Sequence, residues 1–370
     1  MSKEKIAYFI GSTSISGAEK RLLYTASGVS KNLGVKIDVI IQKSVFENLA
    51  SNDLLKTDSF EGINLKVVPE WNFNNLFFQK FSYLLLNSLY VFAFTIFRCK
   101  KLHVALYNKK VVPIFIILKI IFRKKIYYEV TSPDLAIKPL TIRIANRRSL
   151  YDKMIAVSPN VAKILQNSCK NKPELYLRKF PYVDHIKESN EYKLSEKENR
   201  VVFAHRLIKR KNPELAVEAF TKLAYKYSDW SFEIFGSGHM EEKIEKLIQK
   251  KSLDNLLFQG YHNGIIEVLA NSKIFVSLIY PDNYPSQSVF EAFQMGNVVV
   301  FSDTGDSRKY FFDEQVSRCT DLNIESVVNA INYFIINYDT IESPAKAINF
   351  IEQNYSKNKY IDDTVNIYRD

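Results

Sequence analysis

Cysteine is scarce. Cys99, Cys169 and Cys319 are the only three in 370 residues, far apart and without paired spacing, which excludes a disulfide framework and a cysteine zinc site. A reducing cytoplasm is the expected location. The first ten residues have a charged start and a short strand-like run, but neither the apolar core nor the cleavage site of a signal peptide, so export by that route is not expected. The five histidines (103, 185, 205, 239 and 262) lack ligand spacing and no Asp-x-Asp pair occurs, so no metal is expected. There is no internal repeat and no low-complexity tract.

Acidic residues are missing from one long stretch. Residues 71–128 contain no Asp or Glu but carry Lys80, Arg98, Lys100, Lys101, Lys109, Lys110, Lys119, Arg123, Lys124 and Lys125, with Lys138, Arg143, Arg147 and Arg148 beyond, so much of the net charge of +11 is local. Such a field suits nucleic acid, anionic lipid or a phosphate-bearing substrate. Strongly apolar runs between the cations favour lipid, and no nucleic-acid-reading motif is present. Within this stretch residues 81–97 hold no charge. As a helix they would reach roughly 25 Å, short of a hydrocarbon core of roughly 30 Å. A buried helix and a helix resting in a membrane interface both remain open.

What is present is a repeated alternation of short apolar strands and amphipathic helices, long enough for two domains. Strands are expected near residues 5–10, 35–41, 102–107, 125–131 and 154–158, with a polar linker at 187–200. A second series follows: strands at 201–204, 231–235, 256–259, 274–278 and 298–302, with helices at 213–227, 240–251, 265–270 and 288–295. The last residues, from about 343, are helical in pattern. The expected domains are 1–190, 199–345 and a C-terminal helix, 346–370.

Three clusters in the second half carry chemistry. The segment 204–213 places Arg206 and Lys211 between a strand end and a helix start, where open α/β sheets bind anions. An arginine fork and a lysine point charge can neutralise a diphosphate. Gly236 and Gly238 form a glycine-rich turn after the next strand, a weak signal for close backbone approach to a ligand. In residues 282–296 a strand runs through a polar turn into a helix, with Glu291 one turn inside. Such a helix start attracts anions, and a carboxylate there can accept bonds from two ribose hydroxyls.

These residues resemble the retaining glycosyltransferases of family 4, among the glycosyl transferases group 1. The resemblance implies a GT-B fold, in which two Rossmann-like α/β domains face each other across a cleft and the C-terminal helix returns to the N-terminal domain. It implies that Arg206 and Lys211 hold a donor diphosphate and that Glu291 holds the ribose. Asn283 stands where the family has a sugar-binding glutamate, with Asp282 adjacent. Tyr284, Pro285, Ser286, Gln287 and Ser288 would meet sugar and phosphate, and the base would lie near 258–262, including Tyr261. Ser16 and Gly17 resemble the family's small-residue loop before a helix. No histidine follows the strand at 125–131, which leaves Glu129 and Ser132 as local candidates; Glu129 can equally pair with a nearby cation.

The implied activity is metal-independent transfer of a sugar, with no cofactor, from a nucleotide diphosphate donor to a glycan or polyprenyl-linked acceptor, with retention. It would serve bacterial-type surface polysaccharide synthesis in the cytoplasm, and an anionic membrane surface is a further candidate partner. A non-catalytic partner subunit that binds nucleotide sugar is the alternative.

Overall fold

In the computed structural model the described residues are 5–13, 17–51, 60–70, 76–106, 111–131, 150–168, 174–179, 181, 183, 197–341 and 343–369. They divide into two compact units, Met1–Tyr182 with Asn358–Asp370, and Val183–Lys357.

The first unit runs β1 (Ile6–Ile10), α1 (Gly17–Leu33), β2 (Ile37–Gln42), α2 (Lys43–Ser51), β3 (Ile63–Val68), α3 (Leu76–Thr95), β4 (Lys101–Ala105), α4 (Val112–Ile120), β5 (Lys125–Val130), β6 (Lys153–Ala156), α5 (Pro159–Ser168) and β7 (Glu174–Leu177). Its sheet has the order β3-β2-β1-β4-β5-β6-β7, with parallel pairing throughout. The central strands are apolar on both faces because helices cover both. Along β1, Ile6, Tyr8 and Ile10 point into one core with Leu22 and Leu23 of α1. Ala7 and Phe9 point into the other, with Leu86 of α3 and Phe115 of α4. This is the period-two alternation of a strand.

The second unit runs β8 (Glu198–Ala204), α6 (Pro213–Lys226), β9 (Ser231–Phe235), α7 (Glu241–Gln249), β10 (Leu256–Gly260), α8 (Ile265–Ala270), β11 (Ser272–Ser277), α9 (Gln287–Gln294), β12 (Val298–Ser302), α10 (Ser307–Phe311), β13 (Ser317–Thr320), α11 (Ile324–Asn337) and α12 (Ser343–Asn354). The sheet order is β10-β9-β8-β11-β12-β13, again parallel. The chain steps outward from β8 to β10, returns to β11 beside β8 and then steps the other way. That makes β8/β11 the switch point.

Several expected boundaries move. Residues 198–200, read as linker, belong to β8, and just before them Lys197 Nζ donates to the carbonyls of Leu269, Ala270 and Ser272 at 2.8–2.9 Å. The C-terminal return begins later than 346: Ala347 and Ile351 of α12 pack in the second unit. Only α13 (Lys357–Arg369) enters the first, through Tyr360, Ile361 and Val365. The stretch 81–97 is mostly α3, with Leu86 and Val91 buried and Phe81, Leu85 and Leu89 exposed. Among the described residues no helix is long and apolar enough to cross a membrane.

A buried polar network ties α13 to the first sheet. Glu129, at the end of β5, lies 2.5 Å from Arg21 and 2.7 Å from Arg178, and His103 Nε2 is 3.5 Å away. Arg178 also donates to Thr364 at 2.6 Å, and its guanidinium sits over the Tyr360 ring, to whose hydroxyl Arg21 donates. Tyr368 bridges Tyr8 and His103 at 2.6 Å on either side. The Glu129 carboxylate is thus engaged by cations inside the protein. Ser132 lies outside the described residues.

Candidate active site

All six strands of the second sheet end on one edge, and the segment after β8 is fixed there by its own backbone. Asn212 adopts a left-handed conformation between a short 3-10 turn (Lys209–Lys211) and α6. Its side-chain amide donates to the carbonyl of Leu278, just past β11, at 2.8 Å, and Tyr280 N–H donates to the Arg210 carbonyl at 2.9 Å. The Arg206–Lys211 segment is therefore stapled to the exit of β11. The switch point of an open α/β sheet is where its ligands bind.

Arg206 is exposed and Lys211 half-buried, and among the described residues neither is paired with a carboxylate. Burial, with Arg210 and Arg206 close by, pulls the Lys211 ammonium down to about 7 from its ordinary value. Arg206 and Lys211 are thereby placed to meet an incoming anion, which would favour the charged lysine.

The turn after β9 supports the Arg206 loop from beneath. Gly236 and Gly238 have φ of +131° and +156°. A Cβ on Gly236 would meet the His205 carbonyl oxygen, and one on Gly238 the Leu207 carbonyl oxygen at 2.4 Å. Leu207 N–H donates to Ser237 O at 2.8 Å, and Met240 N–H to Leu207 O at 3.1 Å. These glycines let two turns touch, which positions Arg206. The close backbone approach expected at this turn is made to the protein itself.

On the β11 side, Ser286 is the N-cap of α9, and no side-chain bond closes the cap. Ser286 Oγ lies 3.2 Å from Ser288 Oγ, which lies 3.4 Å from Nδ1 of His205. That contact brings the Arg206 loop and the α9 start together. Gln287 and Glu291 are half-buried on the same helix and Pro285 is exposed beside it. His205 is buried at the end of β8. It follows β8 directly, its ring packs on Phe203 and Phe275, and burial, then Lys211 and Arg210, holds it well below the usual histidine range.

Two expected donor contacts are directed elsewhere. Asn283 is 1% exposed. Its Nδ2 donates to the Ser277 carbonyl at 2.8 Å and to Ser302 Oγ at 3.3 Å, while Oδ1 accepts from Ser277 Oγ at 3.0 Å. It joins the ends of β11 and β12 and faces into the sheet, because three polar partners there satisfy an amide that would otherwise be buried unpaired. Tyr284 is also buried, stacked on Tyr310 at 3.9 Å. Asp282 accepts from Tyr284 N–H at 3.1 Å and is half-buried. Tyr261, just past β10, is 69% exposed, two strands out from β8. Gly17 opens α1 in the first unit, and Ser16 lies outside the described residues. Among the described residues no group of three His, Cys, Asp or Glu is placed to hold a metal.

An open parallel sheet with helices on both faces and Arg206 and Lys211 at its switch point belongs to the doubly wound α/β class, whose ligands bind at that edge. Residues 184–355 match the model of the family described as glycosyl transferases group 1. Solved structures resemble the chain over its whole length. HepE from Anabaena, in complex with UDP and glucose, is 15% identical, with 99% of each chain covered and a TM-score of 0.74. A glycosyltransferase from Rickettsia africae is 17% identical, covering 100% of this chain and 98% of that one, with a TM-score of 0.76. TarM from S. aureus, in complex with fondaparinux, alpha-GlcNAc-glycerol and UDP, is 13% identical over 99% and 100%, with a TM-score of 0.74. The chain thus has the GT-B fold. No curated protein matches it by sequence.

Proposed function

We propose that the protein transfers a sugar, with retention and without a metal, from a nucleotide diphosphate donor to a glycan or polyprenyl-linked acceptor in bacterial-type surface polysaccharide synthesis at the cytoplasmic face. The observation that carries this reading is the cation cluster Arg206–Lys211 beside the open α9 N-terminus. As the sugar leaves, negative charge grows on the diphosphate, and fixed cations and aligned amides stabilise it there. Glu291, one turn into α9, is the ribose acceptor in this reading. The UDP bound by HepE and TarM supports a uridine donor.

The test is a panel of nucleotide sugars, following nucleotide release. Arg206→Ala and Lys211→Ala should each lower turnover at least about ten-fold, roughly 1.4 kcal/mol of transition-state stabilisation. Unchanged turnover in both removes the diphosphate assignment. The buried Asn283 favours a second reading, a nucleotide-sugar-binding subunit without catalysis. Tight nucleotide binding with no release from any sugar, lipid acceptors included, would select it.

A further inference from the structure

α3 of the first unit buries polar residues alongside Leu86 and Val91 and leaves apolar residues on its outer face. Its inward side includes Ser82, Asn87 and Thr95, and there Asn87 is bonded to Gln42 and to the Tyr83 carbonyl. Its outward side is Phe81, Leu85, Leu89 and Ala93, each four residues after the last, and Phe97 continues the series just past the helix end. Residues four apart share one helix face, so an unbroken apolar stripe points away from the core.

The stripe ends in a cluster shared with α4. Lys124 Nζ donates to the carbonyls of Ile96 and Cys99 at 2.7 and 2.6 Å, and Lys125 N–H donates to Lys100 O at 3.0 Å. These bonds hold the α3 and α4 ends side by side. Phe97 is 90% exposed there and Ile121 65%, with Ile120 beside them. The same two turns carry exposed Arg98, Lys100, Arg123 and Lys125. Among the described residues, Asp38 lies 4.0 Å from Arg98, and Asp152 pairs with Lys119 at 2.6 Å.

We infer that this α3–α4 face seats the protein on an anionic lipid bilayer, with Phe97, Ile120 and Ile121 entering the acyl boundary while the cations meet headgroup phosphates. Charge complementarity selects this occupant. Residues 71–128 themselves carry cations alone, and the exposed cations of this face outnumber the acids beside it, Asp38 and Asp152. An apolar strip bordered by Lys and Arg is the pattern of interfacial attachment. The surface supplies a location for the lipid-held acceptor proposed above, and it stands on the first unit's residues alone.

Flotation of the full chain with phosphatidylcholine vesicles, with and without phosphatidylglycerol, tests it. Recovery should require the anionic lipid and fall with added salt. Phe97→Ser with Ile121→Ser should lower partitioning by about ten-fold or more, and Arg123→Gln with Lys125→Gln by a comparable factor. Melting temperature and nucleotide binding should stay unchanged in both. Equal recovery with neutral and anionic vesicles overturns the inference, as does unchanged partitioning in the charge pair even if the apolar pair does not fold. A wild-type dimer dissolved by Phe97→Ser with Ile121→Ser overturns it in favour of a second copy. Sugar transfer is read separately with a soluble acceptor, so either reading can fail while the other stands.

Discussion

The carbonyl oxygen of His205 lies 1.9 Å from the point that a Cβ on Gly236 would occupy. The neighbour is backbone, which cannot swing aside as a side chain can, and the φ of +131° is itself closed to most residues. Gly236→Ala should therefore push the β9 turn away from the Arg206 loop, at a cost of about 2–4 kcal/mol in stability. It should weaken nucleotide binding too, because Arg206 follows His205 directly. Thermal unfolding and nucleotide titration check this. Wild-type values in both would show that the two turns can part without consequence.

On the proposed function, Lys211 should make nucleotide binding a proton-uptake reaction. In the free protein burial and the neighbouring Arg210 and Arg206 lower its ammonium to about 7. A bound diphosphate supplies the missing countercharge and raises it again. Affinity should then fall as pH rises through about 7, and calorimetry in buffers of different ionisation enthalpy should report protons taken up. Lys211→Met should abolish the uptake. For the free protein the sign runs the other way. An unfolded lysine keeps its proton up to about 10.4, so between about 7 and that value the unfolded chain holds more protons, and this group makes stability rise with pH.

The parts that sequence made readable are those with a local cause. The strands β8, β9, β10, β11 and β12 are short apolar runs closed by turns, and the Arg206, Gly236 and Ser286 turns fall where those runs predict. Three strands lie outside the expected set: β3, β7 and β13. All are sheet edges, half covered, with weak apolar patterns. The face of α3 was unreadable because an apolar residue occupies nearly every position, so no period marks the inside. Asn283 and Glu129 were ambiguous for a different reason. Their roles are decided by partners on other elements, Ser277 and Ser302 for the first and Arg21 and Arg178 for the second, and the local pattern of the chain does not show which way the side chain turns.

Asn283 should behave as a structural residue. Asn283→Ala leaves the Ser277 carbonyl and the Ser302 hydroxyl without their donor in a site closed to water, a loss of about 2–3 kcal/mol. Asn283→Asp should be worse, since it turns a donor into a buried charge facing the Ser277 carbonyl. Both losses should be visible as lower melting temperatures. A rise in donor KM at an unchanged melting temperature would return Asn283 to the sugar.

Glu129 sets the acid limit of the first unit. Burial alone would push its carboxyl up, but Arg21, Arg178 and His103 outweigh this and hold it well below the ordinary value. A carboxylate depressed in the folded state contributes stability that is complete above its unfolded pKa, about 4.3, and is lost as pH falls through the folded value. Acid unfolding should therefore remove α13 from the sheet, since Arg178 also holds Thr364 and stacks on Tyr360. Glu129→Gln leaves two guanidinium groups buried against a neutral amide and should cost roughly 3–5 kcal/mol at pH 7. The penalty should shrink at low pH, where the wild-type carboxyl is protonated as well. Following Tyr and Trp fluorescence against pH in both proteins checks this. Parallel acid-unfolding curves would mean that the arginines find other partners and that Glu129 does not anchor the helix.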